Sequence, residues 1–257
     1  MLKNLYIITG ASSGLGASIS KQLAKKNNHL IIIARNKKRL LELKSFCISL
    51  GATVDMHTID LSKFESSVEL EVIFSEINWE GFSNHLLINN ASTISPISRL
   101  DEVKMDEITN IISLNLTSSI ILSKFFMAYS KKSNSMNSMI LNISSGVSLN
   151  PVEGWGLYCI SKSALNMLTA VIVSDTNSWK YPVKSVSINP GPLDTEMQEE
   201  IRQSNAEQSP LKNKFVEMFN KGELLSPIVV ANKIIKLVSS NSFPNGEYID
   251  LKSFDSE

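Results

Sequence analysis

The chain has few of the residues that would mark a stapled or metal-built scaffold. Only two of its 257 residues are cysteines, Cys47 and Cys159, and they form neither a CxxC pair nor a zinc spacing. Buried free thiols in a reducing compartment are the simpler account of them. The three histidines, His29, His57 and His85, share no spacing and are read as structural, with no metal site expected. Excess charge is missing too: 25 basic and 25 acidic residues give a formal net charge of zero. Holding nucleic acid or an anionic membrane by charge needs a basic excess, so neither partner is expected. No apolar run approaches the roughly 18 residues needed to span a bilayer. The opening "LYIITG" follows no charged segment or cleavage site, and a cytoplasmic location is expected. No linker rich in Gly, Pro or Ser and no solenoid-length repeat divides the chain, so residues 1–257 are expected to form a single domain.

What the sequence does contain is alternation. Short apolar, β-branched runs at 5–9, 29–34, 53–59, 85–89, 139–143, 183–189 and 246–250 read as strands. Helix-period stretches fill the gaps at 14–26, 37–50, 62–77, 101–130 (as two helices), 155–176 and 227–240. Near-continuous apolar strands imply burial on both faces, and strand–helix repetition implies parallel pairing. The expected fold is α/β: a Rossmann-type doubly wound domain, its seven-stranded, mainly parallel sheet covered by helices on both faces. Polar segment 131–138 reads as a surface loop. A second, 198–214, follows a strand end, where lids often sit. Region 198–225 is thus a candidate substrate lid, with a solvated excursion as the plainer alternative.

"TGASSGLG" (9–16) lies between the first strand and the first helix. Gly10, Gly14 and Gly16 allow a tight turn and close approach to a ligand, with Ser12, Ser13 and Leu15 completing the loop. The helix N-terminus would offer free N–H groups to a pyrophosphate. At the end of the second strand, where an NAD site would place an acid, the chain has Ala34, Arg35 and Asn36. Arg35 can clamp a 2′-phosphate, aided by Lys37 and Lys38, which favours NADP(H). Asp60 and Leu61 follow the third strand; they either contact the adenine edge or, for Asp60, cap a helix.

Further along, "GWGLYCISKSALNML" (154–168) places Tyr158 and Lys162 four apart, on one helical face. The apolar face through Leu157, Ile160, Ala164 and Leu168 is expected to pack on the sheet, leaving Tyr158 and Lys162 aimed at a groove. Alone, the pair would read as a helix edge with a snorkelling lysine. Likewise Ser144 and Ser145 alone would read as turn hydroxyls.

Together these pieces resemble the short-chain dehydrogenase/reductase family over nearly the whole chain. The glycine motif is Thr9 to Gly16. The family's "NNAG" appears as Asn89, Asn90, Ala91 and Ser92, its catalytic Asn as Asn115, its Ser as Ser145, and its Y-x-x-x-K as Tyr158 and Lys162. Pro190-Gly191 and then Thr195 complete the order, and thirteen residues separate Ser145 from Tyr158. The resemblance implies carbonyl reduction, with Tyr158 as proton donor and Ser145 orienting the carbonyl. A nearby ammonium stabilises a phenolate, so Lys162 is expected to lower the Tyr158 pKa and to bond the cofactor ribose. Asn115 would hold a relay water. Thr195 would bond the nicotinamide amide or a phosphate, beside Pro190, Gly191 and Leu193. Asn90 and Ala91 would support the adenosine side. The family commonly assembles as homodimers or homotetramers.

Two departures stand out. Ser92 replaces the usual Gly, and Ser13 stands where some NADP-dependent relatives have a second Arg, which leaves the phosphate grip mainly to Arg35. Phrases such as "NPGPLDTEMQEEIR" and "FPNGEYID" resemble the benzil reductase and sepiapterin reductase branch. That branch implies an NADPH-dependent reductase of a small dicarbonyl such as benzil, with a pterin ketone as the alternative. A non-catalytic cofactor-binding sensor is the alternative of a different class. By position Asp250 corresponds to the pterin-holding Asp, with local backbone bonding as its rival role. Trp155, Leu149, Pro192 and Met197 flank the catalytic residues as pocket candidates, with core packing the simpler role, above all for Leu149.

Overall fold

Seven runs rich in Ile, Leu and Val form the strands β1 (Asn4–Thr9), β2 (Asn28–Ala34), β3 (Thr53–Thr58), β4 (Asn84–Asn89), β5 (Asn137–Ile143), β6 (Lys184–Asn189) and β7 (Tyr248–Asp250). All lie parallel in one sheet of order β3-β2-β1-β4-β5-β6-β7, registered by pairs such as Ile7↔Ile31 and Ile7↔Leu87. The computed structural model describes residues 3–63, 65–133, 135–205, 209–240 and 243–256.

Because strand side chains alternate between faces, neighbours such as Ile7 and Ile8, or Ile31 and Ile32, enter different cores. One core joins Ile8, Leu30 and Ile32 to α1 (Gly14–Leu23), α2 (Lys37–Ser49) and α9 (Pro227–Ser240). The other joins Ile7, Ile31 and Leu87 to α3 (Ser66–Glu76), α5 (Ser118–Lys132) and α6 (Gly156–Thr176), around Phe74, Trp79 and Phe126. This is the doubly wound α/β arrangement. Its strand order reverses between β1 and β4, which opens a crevice at the strands' carboxyl ends.

Three stretches differ from the sequence reading. The stretch read as two helices over 101–130 is one continuous rod: α4 (Met105–Ile112), a π-helical turn at Ser113–Thr117, and α5. Polar segment 198–214 folds largely as helix, in α7 (Glu196–Gln203) and, after a gap, α8 (Lys212–Asn220). In α7 the apolar residues are few (Met197 and Ile201, four apart), and only the polar start of α8, Lys212–Lys214, falls within the segment, so polar composition masked the helical period. On α6 the packed face runs through Leu157, Tyr158, Ser161, Lys162, Leu165 and Thr169, with Leu168 partly packed on the sheet core, while Ile160 is half exposed. Tyr158 and Lys162 are therefore buried, because the packed stripe extends one position round from the one expected.

Two helical stretches, Met105–Lys132 and Gly156–Thr176, are long and apolar enough by length and composition to cross a membrane. No uninterrupted run gave this away, because serines and charges punctuate both. Within the fold, 50% and 44% of their most apolar windows are buried.

Candidate active site

A cleft of about 1280 Å³ runs along the carboxyl ends of the strands. At one end lie Ala34, Arg35, Asn36 and Arg39. Its middle is formed by Gly10, Ser12, Ser13, Gly14 and Leu15, with Leu61, Asn90 and Ala91 opposite. Pro190, Gly191, Leu193 and Thr195 carry the lining towards Ser145, Tyr158 and Lys162, and Trp155, Pro192, Met197 and Asp250 close the far end.

The glycine loop is shaped by what it must touch. Gly10 sits at φ +63°, and a Cβ there would come within 2.7 Å of Asn90 Nδ2. Gly16 does not line the cleft: a Cβ on it would stand 2.4 Å from the Gly10 carbonyl oxygen, so its role is to let α1 close on the loop. Asn90 fastens the turn by donating from Nδ2 to the carbonyls of Thr9 (2.9 Å) and Gly10 (3.3 Å). The Thr9 hydroxyl accepts from the backbone N–H groups of Asn90 and Ala91 at 2.9 and 3.0 Å, which ties β1 to the end of β4. Ser13 precedes α1 without a side-chain cap bond, and no acid stands in the first helical turn. The positive end of α1 thus faces the cleft.

At the Arg35 end, Asn36 caps α2, its Oδ1 accepting from the Arg39 N–H at 3.1 Å. Lys37 and Lys38 do not line the cleft, whereas Arg39, passed over in the sequence, does. Its position in the basic run "RNKKR" was the available signal. Arg39 Nη2 lies 2.5 Å from Glu196 Oε1, across the cleft at the start of α7. Asp60 lies outside the lining and instead makes the local turn: its Oδ1 accepts from the Ser62 N–H at 3.0 Å and the Ser62 hydroxyl at 2.7 Å.

The catalytic candidates meet where β5 ends against α6. The two adjacent serines have different fates. Ser144 is buried and donates to Asn166 Oδ1 at 2.8 Å, whereas Ser145 lines the cleft beside the Tyr158 phenol, whose charged form it favours. Tyr158 is only 8% exposed and Lys162 only 1%. Lys162 Nζ donates to the Ile143 carbonyl at 2.8 Å and stands 5.4 Å from the centre of the Tyr158 ring.

Burial disfavours both charged forms. It pushes the phenol up to about 12, against the effect of Ser145, and the ammonium down to about 7. The expected lowering of the tyrosine pKa is therefore absent in this state, because desolvation outweighs a lysine held to a backbone carbonyl.

A pH dependence of stability follows. Between about pH 7 and 10.5 the unfolded chain holds a proton on Lys162 that the folded chain does not, so stability rises with pH. Tyr158 works the other way, but only above its ordinary value of 10. Denaturant titrations at pH 7 and pH 9 should give the wild type about 2 kcal/mol more stabilisation over that interval than Lys162→Met. Parallel slopes in the two proteins would mean that Lys162 stays charged when folded.

Asn115 is fully buried in the π-helical turn and does not line the cleft. Its Oδ1 accepts from the Thr93 N–H at 2.8 Å, and its Nδ2 donates to the Thr93 carbonyl at 2.8 Å and to Ser161 Oγ at 3.2 Å. It clamps the chain leaving β4 to α6, one residue from Lys162. π-turns of this kind re-aim side chains at functional sites.

At the far end, the Trp155 ring meets Tyr158 edge-on at 6.4 Å and stacks on Phe215 of α8 at 6.0 Å. Trp155 Nε1 donates to Ser209 Oγ at 3.3 Å. Phe215 was passed over in the sequence. Its spacing from Leu211, i to i+4, was the clue. Leu149 is exposed and lies outside the cleft. Asp250 lines the cleft while accepting from Asn189 Nδ2 and from the Lys252 N–H, both at 3.0 Å. Thr195 caps α7, its hydroxyl accepting from the Gln198 N–H at 3.4 Å.

The model of the short chain dehydrogenase family matches residues 4–206. The chain belongs to this family. Among its relatives, a benzil reductase ((S)-benzoin forming) of Bacillus cereus is 34% identical over 244 residues, covering 95% of this chain and 97% of the relative. Sepiapterin reductase of Bos taurus is 32% identical over 259 residues, covering 96% and 94%. The crystal structure of the KRED1-Pglu enzyme superposes with a TM-score of 0.81 at 25% identity, covering 96% of this chain and all of that one. As a short-chain dehydrogenase the protein is an NAD(P)-binding oxidoreductase acting on small molecules. The cleft of this short-chain dehydrogenase fits such a dinucleotide. The uncapped α1 N-terminus and the glycine loop suit a pyrophosphate. Arg35 stands at the adenosine end, and the buried Lys162 ammonium at the end where the nicotinamide ribose would lie.

Proposed function

We propose that this protein is an NADPH-dependent carbonyl reductase that reduces one ketone of a small dicarbonyl. The observation that carries the reading is the placement of Tyr158 and Ser145 together in the lining, where the dinucleotide cleft meets the aromatic wall of Trp155 and Phe215. NADPH, when bound, supplies the hydride.

The chain's own residues supply the rest. Ser145 donates a hydrogen bond to the substrate carbonyl oxygen, which orients it and eases the charge growing there. Tyr158 is protonated at neutral pH and passes its phenolic proton to that oxygen. Hydride on carbon and proton on oxygen convert the ketone to an alcohol. The phenolate left behind favours the protonated form of Lys162, whose ammonium beside the ring stabilises it in turn and also bonds the ribose hydroxyls. Asn115 acts through its clamp on Thr93 and Ser161, holding α6 in place. Arg35, in the position where an acid would select NAD, supports NADPH.

The stacked rings at the far end suit a flat or aryl-bearing substrate. That agrees with the bacterial benzil reductases among the relatives. Asp250 supports a second reading, a pterin ketone, because it lines the cleft. Each of its oxygens accepts one bond from the chain, from Asn189 and from Lys252, and keeps a second acceptor site for a ligand.

A turnover screen with NADPH and NADH against benzil, other diketones and sepiapterin tests this. The expected kcat/KM is at least about tenfold higher for benzil than for sepiapterin, and higher with NADPH. Faster reduction of sepiapterin would transfer the reading to pterins. Preference for NADH would remove the cofactor assignment.

A further inference from the structure

We infer that Glu196 is a built-in competitor for the 2′-phosphate of the cofactor, and that its ion pair with Arg39 sets how strongly NADPH is preferred to NADH. The inference rests on the NADPH reading above and adds two residues that the family motifs do not contain.

Arg39 is the third residue of α2 and Glu196 the first of α7. The two helices leave the sheet after β2 and β6 and meet over the cleft, which both residues line. The Arg39 Nη2 to Glu196 Oε1 contact of 2.5 Å thus bridges the cleft at its Arg35 end. Ser13, from the loop that precedes α1, lines the cleft with them and favours the charged form of the same carboxylate. Arg39 holds the Glu196 carboxyl below its ordinary range, so it is charged at neutral pH.

A carboxylate offers a guanidinium much the same bidentate oxygen edge as a phosphate. Glu196 therefore occupies Arg39 in the way a 2′-phosphate would. Arg35, by contrast, makes no ion pair among the described residues. The side chains of Arg39 and Glu196 are 44% and 58% exposed, so exchanging the partner desolvates little. NADPH must displace Glu196 to recruit Arg39 and then sit beside the freed carboxylate, whereas NADH leaves the pair intact. The pair accordingly weakens NADPH and spares NADH.

The test is direct binding, without turnover. Dissociation constants for NADPH and NADH are read from the fluorescence of the bound nicotinamide in wild type, Glu196→Gln, Arg39→Gln and the double variant. Competition by adenosine 2′-monophosphate and 5′-monophosphate isolates the phosphate position. Glu196→Gln should tighten NADPH and the 2′-monophosphate about three- to fivefold, with NADH and the 5′-monophosphate within about twofold. Arg39→Gln should weaken NADPH about tenfold, and in that background Glu196→Gln should lose most of its effect. Weaker NADPH binding in Glu196→Gln, or equal shifts for both cofactors, would overturn the inference and make the pair a brace between helices. A wild type that binds NADH better would overturn the earlier cofactor reading. The change in the NADPH to NADH ratio on Glu196→Gln would still decide this inference by itself.

Discussion

Tyr158→Phe should fold, bind NADPH as the wild type does, and reduce its ketone about a thousandfold more slowly. The substitution removes one oxygen and keeps the ring that packs edge-on against Trp155. The protein loses at most a polar contact between the phenol and Ser145, a net cost of no more than about 1 kcal/mol. The reaction loses its proton. With Ser145 still able to bond the carbonyl, charge would gather on oxygen with nothing placed to neutralise it. The deficit belongs in kcat, with KM nearly unchanged, because the interaction is made in the transition state. Stopped-flow oxidation of NADPH beside a fluorescence binding curve separates the two quantities. A loss below about tenfold would remove Tyr158 as the proton donor.

Gly16→Ala should be the most damaging single methyl group in the chain. Its Cβ would lie 2.4 Å from the Gly10 carbonyl oxygen and 2.6 Å from Asn90 Nδ2. Neither neighbour can yield cheaply. The oxygen is backbone, and the amide is already spent on the carbonyls of Thr9 and Gly10. The loop and α1 must part, at a cost of about 3 kcal/mol, or roughly 10 °C in Tm for a domain of this size. NADPH affinity should fall with it, because the same loop forms the middle of the cleft. Gly222→Ala is the control: that residue has φ +68° and nothing within 4 Å of the added carbon. It carries conformational strain without collision and should cost about 1 kcal/mol. Equal melting shifts for the two variants would show that the α1 contact relaxes freely.

These two expectations draw on parts of the molecule that were unequally visible in the sequence. The sheet was legible because β-branched runs such as "LIII" in β2 are buried on both sides and alternate with amphipathic helices. The glycine loop and the Tyr158–Lys162 spacing were legible because their geometry is local. What was hidden depended on distance or burial. The Arg39–Glu196 pair joins residues far apart in the chain, and nothing near either one announces the other. Helix α7 and the polar start of α8 carry so few apolar residues that segment 198–214 reads as loop. The electrostatics of Tyr158 and Lys162 were misjudged because four-residue spacing predicts proximity but not depth. At 8% and 1% exposure, desolvation decides the sign. Leu149 was misplaced for the opposite reason: nearness in sequence to Ser145 does not turn its side chain into the cleft.

Helix α8 contains no fully buried residue, yet it contributes Phe215, half of the stacked pair at the far end of the cleft. The proposed chemistry is mounted on β5, whose side chains enter both sheet cores, and on α6, whose first turn with Tyr158 belongs to a third apolar cluster. The proposed substrate wall is thus mounted partly on a helix that enters neither sheet core and meets the Tyr158 cluster through Phe215. Substitutions on its inner face can therefore reshape what is admitted without loosening what reacts. In this architecture, selectivity is free to drift while the reaction stays fixed.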